Sequence, residues 1–242
     1  MKIAGKTDVG MIRKTNQDTF RIAVLCDGIG FALVCDGMGG VKGGDQASAI
    51  AKRMITAVVR DNIRAGMMDD ELHDLLLRAI FEANRQIYEQ AQSQPEFAGM
   101  GTTALAAIIT PDCAYIGHVG DSRLYQLHGG QFYQVTRDHS RVQEMIDLGQ
   151  ITPEEARLRP DRNIITRAVG IAPDVDVDLL DLQLSPGDRL LMCSDGLSGL
   201  CSDREMGEVL SSHPIEEVTE QLIAAANRKG GYDNITVVVI EN

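Results

Sequence analysis

Hydrophobic and polar positions change period along the chain, and the changes mark out its elements. Residues 2–9, 21–26 and 30–35 are short apolar-rich runs with Asp-Gly at 27–28 and 36–37, which predicts strands joined by tight turns. The period then becomes helical. Ala47, Ile50, Ala51, Met54, Ile55, Val58 and Val59 fall on one stripe; Leu72, Leu75, Leu76, Ala79, Ile80, Ala83 and Ile87 fall on a second, behind Asp69 as the expected N-cap. Each stripe covers one side only, so each helix is expected to bury a single face. Four strand-like runs follow at 102–109, 113–119, 123–127 and 131–135, split by Pro111-Asp112, Gly120-Asp121 and Gly129-Gly130. Links this short predict antiparallel hairpins rather than parallel crossovers. A polar, arginine-containing region over 140–170 interrupts, and strands resume at 175–182 and 188–193. A helix near 203–211 precedes one from Pro214 to about Lys229, with Pro in its first turn and Gly230-Gly231 after it; Ile235 to Ile240 form a last strand. Hairpin strands segregated from one-sided helices predict an α+β fold, with two antiparallel sheets packed together and helices outside. No linker, repeat or low-complexity stretch divides residues 1–242, which are expected to form one domain.

Charge narrows the function. Lys and Arg number 23 against 35 Asp and Glu, a net charge of −12, which argues against a nucleic-acid partner because phosphate backbones are bound by a basic surplus. No apolar run approaches membrane-spanning length, and the polar start lacks the apolar stretch of a signal peptide. A cytoplasmic protein without a membrane partner is the expectation, and the composition permits a monomer. The five cysteines are odd in number and form no C-x-x-C; Cys26, Cys35, Cys113 and Cys193 lie in or beside apolar runs, as small buried hydrophobes do in a reducing compartment. The five histidines are scattered, so a histidine-based zinc site is not expected. The phosphate-binding, dinucleotide, serine-hydrolase and zinc-protease motifs are absent. Asp174 to Asp178 resembles the start of a calcium loop but carries Leu179 and Ser185 where Gly and Glu are needed; it reads as a strand with Val175 and Val177 inward.

What remains is a set of aspartates in one kind of setting. Asp36 ends the run Phe31 to Cys35 and precedes Gly37, Met38, Gly39 and Gly40; Asp195 follows Leu190 to Ser194 and precedes Gly196. Asp121 sits in the turn Gly120-Asp121-Ser122, Asp233 just before the last strand, and Asp18 after Asn16-Gln17. Each stands where a rigid apolar element meets a loop, a position that holds a side chain well enough for ligation. Carboxylates without thiolate or imidazole suit Mg²⁺ or Mn²⁺. Any one of these Asp-Gly pairs could equally be a plain turn, and spacing alone does not bring the five together.

The stretches around them carry a resemblance. Gly10 to Asp18, Val34 to Gly40, Gly99 to Thr103, His118 to Arg123, Thr136 to Ser140, Asn163 to Ala168, Ser194 to Leu197 and Asp233 to Thr236 resemble, in order, the motifs of the type 2C protein serine/threonine phosphatases, the metal-dependent protein phosphatase family, in its compact bacterial form. The resemblance implies a four-layer α-β-β-α sandwich of two antiparallel sheets flanked by helix pairs, hydrolysing phosphoserine and phosphothreonine by water activated between two Mn²⁺ or Mg²⁺ ions. It implies that Asp36 bridges both ions, that the Gly37 carbonyl binds one, and that Asp195 and Asp233 hold the other. Asp121 would share a third, weaker ion with Asp195. Arg13 would clamp the phosphate, and Asp18 would orient the attacking water. Met38 stands where animal members carry a histidine proposed as general acid, which leaves the proton donor open. Residues 140–170 correspond to the variable flap, where Arg157, Arg159, Arg162 and Arg167 gather, either as a solvated loop or as a guide for phosphopeptides. The implied partners are phosphoproteins and a serine/threonine kinase acting on them. A phosphoprotein-binding module without activity and a phosphoesterase for small molecules are the competing readings.

Overall fold

The computed structural model describes the backbone of the whole chain and the side chains of every residue but 40–42, a stretch that includes Gly40 of the glycine run. The strands are β1 (Lys2–Asp8), β2 (Asp18–Val24), β3 (Gly30–Met38), β4 (Gly101–Thr102), β5 (Ala104–Ile109), β6 (Cys113–Val119), β7 (Arg123–His128), β8 (Gln131–Gln134), β9 (Asp178–Gln183), β10 (Arg189–Cys193) and β11 (Ile235–Glu241). The helices are α1 (Gly40–Asn62), α2 (Asp69–Ser93), α3 (Arg141–Asp147), α4 (Pro153–Leu158), α5 (Asp195–Ser198), α6 (Asp203–Ser212) and α7 (Ile215–Arg228). One sheet has the order β1-β11-β10-β7-β8; the other runs β2-β3-β5-β6-β9, with β4 paired to β3. Every pairing is antiparallel.

Strand parity builds the layers. In β3, Phe31, Leu33 and Cys35 face α1 and α2, while Ala32 and Val34 face the other sheet. In β11, Ile235, Val237 and Val239 face α6 and α7, while Val238 and Ile240 face inward. Because successive side chains point to opposite sides, strands buried on both faces read as continuous apolar runs. Three apolar layers result, one between the sheets and one beneath each helix pair, which is the expected α-β-β-α sandwich.

Some local expectations are corrected. Asp69 is the first residue of α2 and not its cap: Glu71 reaches back to accept the Met68 N–H at 2.9 Å, and the Asp69 carboxylate takes the Tyr115 hydroxyl instead. Pro214 is likewise the cap of α7, one residue before its first turn. The run 102–109 is broken at Thr103. The link at Gly120-Asp121 is not a hairpin, since β6 and β7 belong to different sheets and the chain crosses between them there. Val175 is buried and Asp174 and Asp176 are exposed, as the alternation predicts, but the strand begins only at Asp178. All five cysteines are free; Cys26 is exposed rather than buried, on the loop between β2 and β3. No helix among the described residues is long and apolar enough to cross a membrane.

Candidate active site

Register brings the aspartates together. Asp18 opens β2 and Asp36 lies near the end of β3, and the two are direct cross-strand partners. In the other sheet Cys193 pairs with Val237, so the end of β10 and the start of β11 meet, and Asp195 and Asp233 with them. Asp121 enters from the crossing between sheets. Asp36, Asp121, Asp195 and Asp233 line one open cleft of about 570 Å³, with Arg13, Gly37 and Met38. Asp18 lies beneath it, 4% exposed.

The backbone around Asp36 is clamped. Its N–H donates to Thr103 Oγ1 at 2.9 Å, and its carbonyl accepts the Thr103 N–H and the Thr102 hydroxyl at 2.8 Å each. Thr103 Oγ1 shares a hydrogen bond with Ser122 Oγ at 2.8 Å, tying Asp36 to the turn that carries Asp121. Gly37 is required by crowding: a Cβ there would collide with the Gly44 carbonyl oxygen. Ser194 Oγ donates to Asp18 Oδ2 at 2.6 Å and accepts the Thr236 N–H at 2.9 Å, so one serine joins the two sheets under the cleft. Asn234 accepts the Gln17 N–H at 2.8 Å and donates to the Val9 and Thr15 carbonyls at 3.0 Å, fixing the loop that carries Arg13. Arg13 Nη2 donates to Asp233 Oδ2 at 2.7 Å.

Thr103, Ser122, Ser194 and Asn234 went unnoticed in the sequence. Each stands inside a matched motif, next to a named aspartate or in Gly99 to Thr103, and that adjacency is the signal that could have found them.

The electrostatics call for a cation. Burial, then the charges of Asp18, Asp195, Asp121 and Asp233, push the Asp36 carboxyl well above its ordinary range. Burial, then Asp233 and Asp18, lifts Asp195 to about 7, and burial lifts Asp18 to about 6. Asp121 is raised by burial and by Asp195. Asp18 Oδ1 and Asp195 Oδ1 are buried without a hydrogen-bond partner. Crowded, underpartnered carboxylate oxygens are the donor set of a hard divalent ion, so these residues fit the expected Mn²⁺ or Mg²⁺.

A second group, His118, His139 and Asp178, places its potential ligand atoms within 4.8 Å of one another. The scatter of histidines in sequence hid it. The two imidazoles stack at 4.8 Å and 25°, which sets their nitrogen lone pairs side by side rather than aiming them at one point. His139 Nδ1 accepts the Gly120 N–H at 3.0 Å, its Nε2 faces Asp178 at 3.1 Å, and the Arg167 guanidinium already supplies Asp178 with a cation at 2.8 Å. Burial, then His139, lowers His118 to about 4, so it is neutral. This group braces the Gly120-Asp121 turn against the base of the flap.

Comparison with known proteins agrees with the geometry. A family profile described as Protein phosphatase 2C matches residues 13–237. The serine/threonine phosphatase stp of Listeria monocytogenes serovar 1/2a is 38% identical over 237 residues, covering 98% of this chain and 94% of its own. The crystal structure of the Mycobacterium tuberculosis serine/threonine phosphatase PstP/Ppp superposes with a TM-score of 0.90 at 35% identity, covering 100% and 99% of the two chains. The catalytic domain of the serine threonine protein phosphatase PstP in complex with two manganese ions superposes with a TM-score of 0.86 at 34% identity, covering 98% and 96%.

Proposed function

The chain belongs to the protein phosphatase 2C family, and from that membership we propose how its cleft acts on phosphoserine and phosphothreonine proteins. It is a metal-dependent serine/threonine protein phosphatase, a phosphomonoester hydrolase using Mn²⁺ or Mg²⁺. Asp36, the Gly37 carbonyl, Asp195 and Asp233 would hold two ions, and Asp121 with Asp195 would hold a third, weaker one. The convergence of Asp36, Asp121, Asp195 and Asp233 on one cleft, with Asp36 raised by the charges of its neighbours, carries this reading. When bound, the ions lower the pKa of water between them and offset charge developing on the phosphate.

The chain's own residues do the rest. Arg13 turns its planar fork from Asp233 to the phosphate oxygens, exchanging one anionic partner for another. Asp18 has one oxygen satisfied by Ser194 and the other unpartnered, and it orients the attacking water by accepting its hydrogen. Met38 has no proton to give, so the leaving group takes one from water or another group. Residues 1–242 act as one catalytic domain with a flap at about 140–170, as a cytoplasmic monomer opposing a serine/threonine kinase. Phosphate release from a phosphothreonine peptide, with EDTA, Mg²⁺ or Mn²⁺, tests the reading. Release should require metal and be largely lost in Asp36→Asn with the fold intact. A folded native chain that releases nothing under any metal would instead be a phosphoprotein-binding module.

A further inference from the structure

A second cleft of about 490 Å³ adjoins the first, and Asp121, Asn163 and Asp195 line both. One wall is the flap and the other is the turn between α5 and α6. Its apolar lining is half-buried Val142 and Ile146 from α3, buried Ala156 from α4, and Leu200 opposite. Arg157 and Arg162 stand at this lining.

These two arginines differ from their neighbours. Arg123 is paired with Asp138, Arg137 with Asp147, Arg141 and Arg159 with Asp161, and Arg167 with Asp178. Arg157 and Arg162 are exposed and, among the described residues, have no carboxylate within ion-pair distance. Arg162 Nη1 donates to the Arg157 carbonyl at 2.9 Å, which folds the segment after α4 back and keeps the two residues together. The cleft is also lined by Asp138, which Arg123 holds, by Lys229, which pairs with Glu205, by Asp203, and by the site aspartates Asp121 and Asp195. Arg157 and Arg162, two guanidiniums without ion-pair partners beside its apolar strip and continuous with a phosphate-hydrolysing cleft, form a site for a chain segment that carries an anion.

We propose that this cleft holds the substrate segment beside the phosphorylated residue and selects, through Arg157 and Arg162, for an anionic side chain there. The apolar lining takes the chain of that segment, and the guanidiniums take a carboxylate or a second phosphate. The proposal deepens the phosphatase reading and rests on it. It also decides between the two expectations for the flap arginines: Arg159 and Arg167 are structural pairs, whereas Arg157 and Arg162 meet substrate.

The test uses phosphothreonine peptides with neutral flanks, with Glu, or with a second phosphothreonine at one to five residues on either side. Turnover is compared for the native chain, Arg157→Gln/Arg162→Gln and Arg157→Lys/Arg162→Lys, with p-nitrophenyl phosphate as a substrate too small to reach the second cleft. For the Gln pair, kcat/KM for the best anionic peptide should fall about tenfold, mainly through KM, while the neutral peptide and p-nitrophenyl phosphate change less than twofold. The Lys pair should recover part of the loss. The Glu and phosphothreonine series separate the two anion sources. Equal losses on anionic and neutral peptides, or no loss on either, would overturn the proposal while leaving the phosphatase reading intact. If no substrate at all releases phosphate, that reading fails by itself. Fluorescence anisotropy of the same labelled peptides then tests the cleft, and equal affinity of the native and Gln-pair chains would overturn the proposal.

Discussion

Asn234 shows how much one side chain can organise. It satisfies the Gln17 N–H and two carbonyls of the Arg13 loop, all from the turn just before β11. Removing it leaves several polar groups short of partners, so Asn234→Ala is expected to cost roughly 2–4 kcal/mol in urea denaturation and to lower phosphate release further by loosening Arg13. Gly37 carries a different constraint. In Gly37→Ala the new methyl meets the backbone of Gly44, which no rotamer change relieves. A drop in melting temperature together with weakened Mn²⁺ binding by calorimetry is expected; a variant with native metal affinity would show that the clamp around Asp36 tolerates a shift.

At the scale of elements, α2 anchors the segment leaving the flap. Asn84 is buried on its inner face, accepts the Gly170 N–H at 2.6 Å and donates to the Ala172 and Pro173 carbonyls at 3.0 Å. Its neighbour Arg85 faces water and pairs with Glu82 on the same helix. Buried orphaned amides cost far more than exposed ion pairs. Asn84→Ala should therefore lose roughly 2–3 kcal/mol and speed hydrogen exchange over residues 168–174, while Arg85→Ala should change stability by less than about 0.5 kcal/mol. Similar effects from the two substitutions would mean that α2 packs independently of the flap's exit.

Over the whole molecule, the carboxylate cluster sets a cost that metal removes. In chelated protein, Asp195 at about 7 and Asp18 at about 6 bind protons more tightly folded than unfolded, where the ordinary value is 3.8. Their stabilisation is fully present below 3.8 and is lost as pH rises through 6 and 7. His118 works in the opposite sense: with its value lowered from 6.5 to about 4, its contribution is present above 6.5 and lost as pH falls toward 4. Only the aspartate contribution runs above pH 6.5. Thermal melts in EDTA should thus show a loss of about 1 kcal/mol or more between pH 6.5 and 8, reduced in Asp195→Asn. Excess Mn²⁺ should raise the melting temperature and flatten the slope, because the ion binds only the folded cluster.

The class of fold, the one-sided helices and the aspartates at strand ends were legible in the chain itself, because strand and helix periods and apolar-to-glycine boundaries are local properties. The family motifs named Asp36, Asp195 and Asp233 before any geometry did. What the chain could not state is which strands share a sheet. The short link at Gly120-Asp121 looked like a hairpin and is a crossing between sheets, and Asp69 looked like a cap until Tyr115 claimed its carboxylate. The same holds for His118, His139 and Asp178, for Ser194 joining the sheets beneath the cleft, and for the two unpaired arginines among their paired neighbours. Each depends on partners brought together by non-local register and packing. A sequence specifies the identity of each group and its local conformation, whereas the distance between groups far apart in the chain exists only once the two sheets have closed on one another.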